Sequence, residues 1–403
     1  MKIGLITIGA ELLNGTRTDT NASWIGKSVI STGGSIHWHM TVNDTNESIV
    51  NSLNQVPEDI DIILCTGGLG PTHDDITPTV LYTYFNDNPL FDDKYWSLLT
   101  SRFKSRGIDI PESNKNQAMK PEKGKIIPNS IGSARGLHFK NNNYQIFAMP
   151  GVPSEMKLMM NDYILPIIKK ISKIENHVKL IRTTGIMESA LYEIIKPYFR
   201  SKDLSIAFLP SYTGVDLRIS SHTNNILVSF LDVIIPLIDK YYYAQDEIEL
   251  EDVLGAAIIN KNKTISTAES CTGGLISDRL TNTPNSSSYF KGGIVAYSNL
   301  VKINLLNVKK ETLNKNGAVS KEVALEMAEG VRKHLNVDIG LSTTGIAGPG
   351  GGSKEKPTGL VYIGLSTTSY NKVYKFNFTK NRKINKLMTS QAALNILRNY
   401  LKI

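Results

Sequence analysis

The stretch Asp61-Ile62-Ile63-Leu64-Cys65-Thr66-Gly67-Gly68-Leu69-Gly70-Pro71-Thr72-His73-Asp74-Asp75 decides how the fold is read. An apolar run this short, closed by glycines, reads as a strand that ends in a loop. Working outward, Lys2–Ile8, Ser35–Val42 and Tyr144–Met149 read as further strands. Helical patterns separate them at Thr20–Ser31, Glu47–Gln55, Thr77–Phe85, Asp93–Arg106 and about Ser154–Ile171. Alternation of this kind predicts a parallel sheet covered by helices on both faces.

A polar stretch near Ser172–Asn176 predicts a link to a second unit. There a strand (Lys179–Thr184), a helix (Glu188–Phe199), two strands (Leu204–Leu209, Val215–Ser221) and a helix (Ile226–Tyr242) make a small α+β module. A third unit starts near Asp246, with helices at Glu249–Asn260, Leu275–Leu280, Lys321–Leu335 and Arg382–Leu401. Its strands are expected at Thr264–Ala268, Gly292–Tyr297, Ile339–Thr344, Leu360–Ser366 and Lys372–Phe378. The domain reading is therefore 1–172, 173–245 and 246–403.

Composition narrows the function classes. A chain of 403 residues is too long for one ordinary core. No apolar run approaches the roughly 20 residues of a membrane helix. The start, Met1-Lys2-Ile3-Gly4-Leu5-Ile6, carries no cleavage pattern, and two distant cysteines, Cys65 and Cys271, fit a reducing compartment, so a cytoplasmic protein is expected. The net charge of +8 is spread over scattered lysines, and no Gly-x-x-Gly clamp occurs in the middle module, so nucleic acid is not an expected partner.

Four turns that follow predicted strands are candidate sites, because loops at the carboxyl ends of parallel strands bind ligands in open α/β sheets. In the first, Gly67, Gly68 and Gly70 allow close approach of an anion, while Asp74 and Asp75 could hold a divalent metal or simply cap a helix. In the second, Pro150-Gly151-Val152-Pro153-Ser154-Glu155, Glu155 either complements a helix dipole or faces the same cleft. The third is Ala268-Glu269-Ser270-Cys271-Thr272-Gly273-Gly274. Ser270 there is a nucleophile or a cap, and Cys271 reads as a small buried residue. A serine without a histidine needs another base, and Lys302 is the candidate. A lysine normally titrates near 10.4, and bringing it to neutrality takes roughly 4 kcal/mol, which burial could supply and a surface position could not. The fourth is Thr344 to Ser353, rich in glycine (Gly345, Gly348, Gly350) and lacking P-loop spacing. It is a phosphate or ribose cradle or a flexible loop.

Taken together these turns resemble the CinA family. The N-terminal signatures appear as Gly9-Ala10-Glu11-Leu12-Leu13, Thr20-Asn21-Ala22, Thr66 to Asp75 and Pro150 to Glu155. The C-terminal ones appear as Ala268 to Gly274, Ala296-Tyr297-Ser298-Asn299, Gly317-Ala318-Val319-Ser320 and Thr344 to Gly352. The resemblance implies an α/β protein with a MoaB/MogA-like parallel-sheet domain, a KH-type middle domain and a PncC-type nicotinamide-nucleotide amidase domain. In the last, it implies that Ser270 attacks, Lys302 is the base and Tyr297 stands beside them. N–H groups around Thr272 and Gly273 would hold the oxyanion, and Thr344, the glycine loop and Arg382 the nucleotide. The substrate so implied is nicotinamide mononucleotide, with no cofactor.

For the N-terminal half the resemblance implies a metal-dependent ADP-ribose pyrophosphatase. Glu11, Gly67, Gly68 and Gly70 would bind substrate, and Asp74, Asp75 and Glu155 a divalent ion (Mg, Mn or Co). It also implies a homodimer. The chain departs from the family at several positions: Ala10 for Thr, Ser133-Ala134-Arg135-Gly136 for Thr-Ala-Pro-Gly, Met187 for Gly, Leu300-Val301 for Glu-Ala and Lys380-Asn381 for Gly-Asp. The N-terminal departures motivate a second reading, a non-catalytic nucleotide- or molybdopterin-binding regulator linked to competence.

Overall fold

The computed structural model describes residues 1–172 and 176–403. The chain divides into two compact units, Met1–Val178 and Lys179–Ile403. The link expected over Ser172–Asn176 lies, at residues 173–175, outside the described residues.

The first unit runs β1 (Lys2–Ile8), α1 (Ala10–Leu13), α2 (Thr20–Ile30), β2 (Ser35–Val42), α3 (Asn46–Asn54), β3 (Ile62–Thr66), α4 (Thr77–Tyr84), β4 (Pro89–Phe91) and α5 (Asp93–Ser105). It continues with β5 (Met119–Pro121), β6 (Lys125–Ile127), β7 (Gly136–Lys140), β8 (Gln145–Met149), α6 (Pro153–Met159) and α7 (Leu165–Ser172). Its six-stranded sheet has the order β2-β1-β3-β8-β7-β6. Strands β2, β1, β3 and β8 are parallel, while β7 and β6 add antiparallel strands at one edge. That edge departs from the all-parallel expectation. Its strands are three to five residues long, too short for an alternating pattern to show in sequence.

Side chains alternate across the sheet with period two. Ile3, Leu5, Ile62, Leu64 and Phe147 face α2, α6 and α7, whereas Ile6, Ile8, Ile63, Cys65 and Ile146 face α3 and α4. The register Thr7↔Thr66↔Met149 brings three loops together at the carboxyl ends of the strands.

The second unit holds two sheets. β9 (His177–Thr183), α8 (Glu188–Ile195), β10 (Ser205–Pro210), β11 (Val215–Ser221), α9 (Asn224–Leu237) and β12 (Tyr242–Gln245) form the KH-type module, with strand order β10-β11-β9-β12. The helix expected to reach Tyr242 stops at Leu237, one residue past Pro236, and the chain then turns into β12.

Then come α10 (Leu250–Asn260), β13 (Ile265–Glu269), α11 (Leu275–Asn282), β14 (Phe290–Val295), α12 (Asn299–Leu306), α13 (Lys310–Asn316), α14 (Lys321–His334), β15 (Ile339–Gly345), β16 (Leu360–Ser366), β17 (Asn371–Asn377) and α15 (Arg382–Leu401). The sheet order is β14-β13-β15-β16-β17, with β14, β13 and β15 parallel. Helices α10, α11 and α15 cover one face, and α12 and α14 the other. Register pairs Glu269 with Val295 and with Thr343, so the turns after β13, β14 and β15 meet.

Candidate active site

At that meeting point Ser270 follows β13 directly, its N–H bonded to the Thr343 carbonyl at 2.9 Å. The turn is possible because Gly273 and Gly274 take positive φ of 61° and 95°. Glu269, fully buried, closes it. Its carboxylate accepts the N–H groups of Gly274 (3.0 Å), Ile276 (3.1 Å) and Ser277 (2.8 Å) and the Ser277 hydroxyl (2.7 Å). Those are the orphan donors at the start of α11. Glu269 therefore caps the helix. The Ser270 hydroxyl points instead to Lys302.

Lys302 sits one turn into α12, which Ser298 starts by accepting the Val301 N–H at 3.2 Å. The lysine is 1% exposed. Its Nζ lies 3.2 Å from Ser270 Oγ and donates to the Ala296 carbonyl at 2.7 Å. Burial holds this amine below the ordinary lysine range. Burial also pushes the Cys271 thiol up to about 12, so it stays protonated and is a poor nucleophile.

Tyr297 is exposed, and its hydroxyl accepts from Arg382, whose other arm donates to the Gly348 carbonyl at 3.1 Å. Arg382, Tyr297 and the glycine loop thus converge. Thr344 is buried and donates inward to the Ala318 carbonyl (2.7 Å), while Thr272 pairs with Thr343 (2.7 Å). Both threonine hydroxyls serve to fix the loops. Gly345 has the Leu360 carbonyl 2.7 Å from where a Cβ would stand, and Gly350 has open space around it.

In the first unit, a cleft of about 690 Å3 is lined by Glu11, Gly67, Gly68, Gly70, Asp74, Asp75 and Glu155. A side chain on Gly67 would meet the Ile8 carbonyl at 2.1 Å, so the backbone must be bare there. The three carboxylates expected to bind a metal, Asp74, Asp75 and Glu155, are already engaged. Asp75 accepts the Thr72 N–H (2.9 Å) and hydroxyl (2.5 Å), Asp74 pairs with the exposed His73 at 2.9 Å, and Glu155 accepts from Asn129 (2.5 Å). Among the described residues no group of three His, Cys, Asp or Glu side chains could hold a metal ion. As arranged, Asp74, Asp75 and Glu155 do not fit a divalent ion.

Family models match three stretches: "Probable molybdopterin binding domain" over residues 4–170, "Damage-inducible protein CinA KH domain" over 178–227 and "CinA C-terminal domain" over 247–401. A relative from Halothermothrix orenii, named as a competence-damage inducible protein, is 40% identical over 99% of this chain and 98% of its own length. One from Clostridium botulinum (strain Langeland) is 37% identical over the full length of both. The chain belongs to the CinA family. The crystal structure of a competence/damage inducible protein from Agrobacterium tumefaciens is 37% identical, covering 39% of this chain and 98% of that one, with a TM-score of 0.37.

This CinA-family chain absorbs one of its departures structurally. Arg135, in place of the usual proline, pairs with Asp92 at 2.8 Å and stacks on Tyr95 at 3.8 Å. Sequence reading assigned no role to Glu269 or to Lys386. The latter lies one turn beyond Arg382 on α15, its Nζ 3.5 Å from where a Gly273 Cβ would stand. The i, i+4 spacing from Arg382 was the available signal. Among the described residues no helix is long and apolar enough to cross a membrane.

Proposed function

We propose that the C-terminal domain is an amidohydrolase whose nucleophile is Ser270 and whose base is Lys302, acting on nicotinamide mononucleotide. The observation that carries this is a buried amine within proton-transfer distance of a serine hydroxyl, 3.2 Å away, at the carboxyl ends of parallel strands. The neutral amine keeps one N–H on the Ala296 carbonyl and turns its lone pair to Ser270. Ser270 Oγ attacks the carboxamide carbon as its proton passes to Lys302. Lys302 returns that proton to the leaving nitrogen, and ammonia departs from an ester on Ser270. Water, deprotonated by the same amine, hydrolyses the ester to nicotinate mononucleotide. Glu269 occupies the N–H groups of Gly274, Ile276 and Ser277, so the oxyanion falls to those nearer Thr272 and Gly273. Tyr297, Arg382 and the glycine loop form the nucleotide side. Purified protein incubated with nicotinamide mononucleotide should release ammonia; no release removes this reading.

For the N-terminal cleft we infer a nucleotide site, with ADP-ribose as ligand. Its bare glycine turn supports phosphate binding. Hydrolysis to AMP is the activity implied by family resemblance, whereas the engaged carboxylates favour binding without turnover. Incubation with ADP-ribose and Mg, Mn or Co ions separates the two, since AMP forms only in the first case. A cytoplasmic homodimer belongs to the same reading, and light scattering at twice the monomer mass tests the dimer.

A further inference from the structure

At the start of α2, two acceptors are buried with no donor among the described residues. Asp19 caps the helix with Oδ1, which takes the Ala22 N–H at 2.8 Å, while its Oδ2 has no partner. Asn21 is 8% exposed, and its Oδ1 is likewise without a partner. The orientation of that amide is fixed. Its Nδ2 donates to the Gly151 carbonyl (2.9 Å), which can only accept, and to Thr66 Oγ1 (3.1 Å), whose own proton goes to the Pro150 carbonyl (3.0 Å). Oδ1 therefore faces away from these partners. Both residues line a small cavity of about 100 Å3, which shares Glu11, Arg17 and Gly151 with the lining of the large cleft. Buried acceptors are nearly always matched by donors.

We infer that Asp19 Oδ2 and Asn21 Oδ1 receive a pair of hydroxyls from the sugar of a ribose phosphate, whose phosphate lies on the Gly67–Gly70 turn. Hydroxyls fit better than a cation. One carboxylate and one neutral amide form the acceptor pair, Arg17 lines the same cavity beside Glu11, and no group of three His, Cys, Asp or Glu side chains among the described residues could hold a metal ion. A carboxylate receiving ribose hydroxyls beside a phosphate-binding turn is a recurrent arrangement in α/β nucleotide sites. The inference rests on reading the N-terminal cleft as a nucleotide site, and does not require that it hydrolyse anything.

Calorimetry with ribose 5-phosphate and 2-deoxyribose 5-phosphate tests it on the full chain. The wild type should prefer ribose 5-phosphate by at least about tenfold. Asp19→Asn and Asp19→Ser both retain a capping side chain, and each should bring the ratio to about one. Thermal melts near the wild type's verify that both variants fold. Equal affinity for the two sugars, no binding of either at millimolar concentration, or an unchanged ratio in both variants overturns the inference. So does Asp19-dependent binding of magnesium ion without sugar preference. If the sugar preference holds and ADP-ribose is not hydrolysed, only the pyrophosphatase reading falls.

Discussion

Lys302 Nζ and Ser270 Oγ stand 3.2 Å apart although 32 residues separate them in the chain. Parallel pairing of β13 with β14 creates this contact, because it sets the end of one strand beside the helix that follows the other. The lysine forms no ion pair among the described residues. It is an amine held dry, with one carbonyl and one hydroxyl for company.

Replacing that amine should separate catalysis from folding. Lys302→Met preserves an apolar stem of similar length and should lower kcat by about 10²–10⁴-fold. Its stability should equal or exceed that of the wild type, since a buried polar amine gives way to an apolar group. Lys302→Arg should be equally inactive, because a guanidinium does not give up its proton. Ammonia release and urea denaturation check both halves.

The pH dependence follows from the same burial. The lysine acts as a base only when neutral, so kcat/KM should rise with pH along a limb centred below the ordinary lysine value of 10.5. Stability carries a matching sign. Between the folded and unfolded values the unfolded chain binds the extra proton, so this group's contribution increases with pH there and is lost as pH falls through the folded value. Denaturation of wild type and Lys302→Met across that range should show the upward slope only in the wild type.

Much of this centre was legible in the sequence. Small residues between a strand and a helix marked the turn that carries Ser270 as a nucleophile or a cap, the glycine loop read as a cradle or a flexible loop, and Arg382 entered only through the family resemblance. Burial of Lys302 was not legible, because it arises from sheet order and not from local pattern. Glu269 was hidden for another reason. A carboxylate in a strand looks like a solvent-facing residue, and only the backward turn at Gly273–Gly274 brings the helix N–H groups onto it. The antiparallel edge strands around Lys125 and Gly136 were too short to carry a period.

Glu269 should prove structural and catalytic together. Glu269→Gln sets an amide N–H against backbone donors, leaving about 1–3 kcal/mol of unmet hydrogen bonding at the start of α11. The melting temperature should drop, and activity should fall more than the fraction unfolded explains. Circular dichroism melts beside kcat decide it; unchanged activity in the folded fraction would detach the cap from the nucleophile.

A buried network holds α11 from the other end. Arg279 bonds Glu251 on α10 at 2.6 Å and Ser390 (3.1 Å) and Gln391 (2.9 Å) on α15. Arg279→Ala leaves Glu251 buried without its partner, a change that costs about 3–5 kcal/mol. Glu251→Gln in the same background should recover part of that loss in urea denaturation.

Lys386 should act on binding and not on chemistry. Lys386→Gln is expected to raise KM for nicotinamide mononucleotide about tenfold or more with kcat little changed, as loss of uniform binding does. Lys386→Arg should restore most of it. Steady-state kinetics with both variants make the comparison, and an equal fall in kcat would place the residue at the reacting carbonyl.

The most direct measurement is ammonia release from nicotinamide mononucleotide by wild type, Ser270→Ala and Lys302→Met, each verified as folded. The paired serine and lysine predict turnover by the wild type, none above background by Ser270→Ala, and release reduced by about a hundredfold or more in Lys302→Met. Full release by Ser270→Ala or by Lys302→Met would contradict the mechanism.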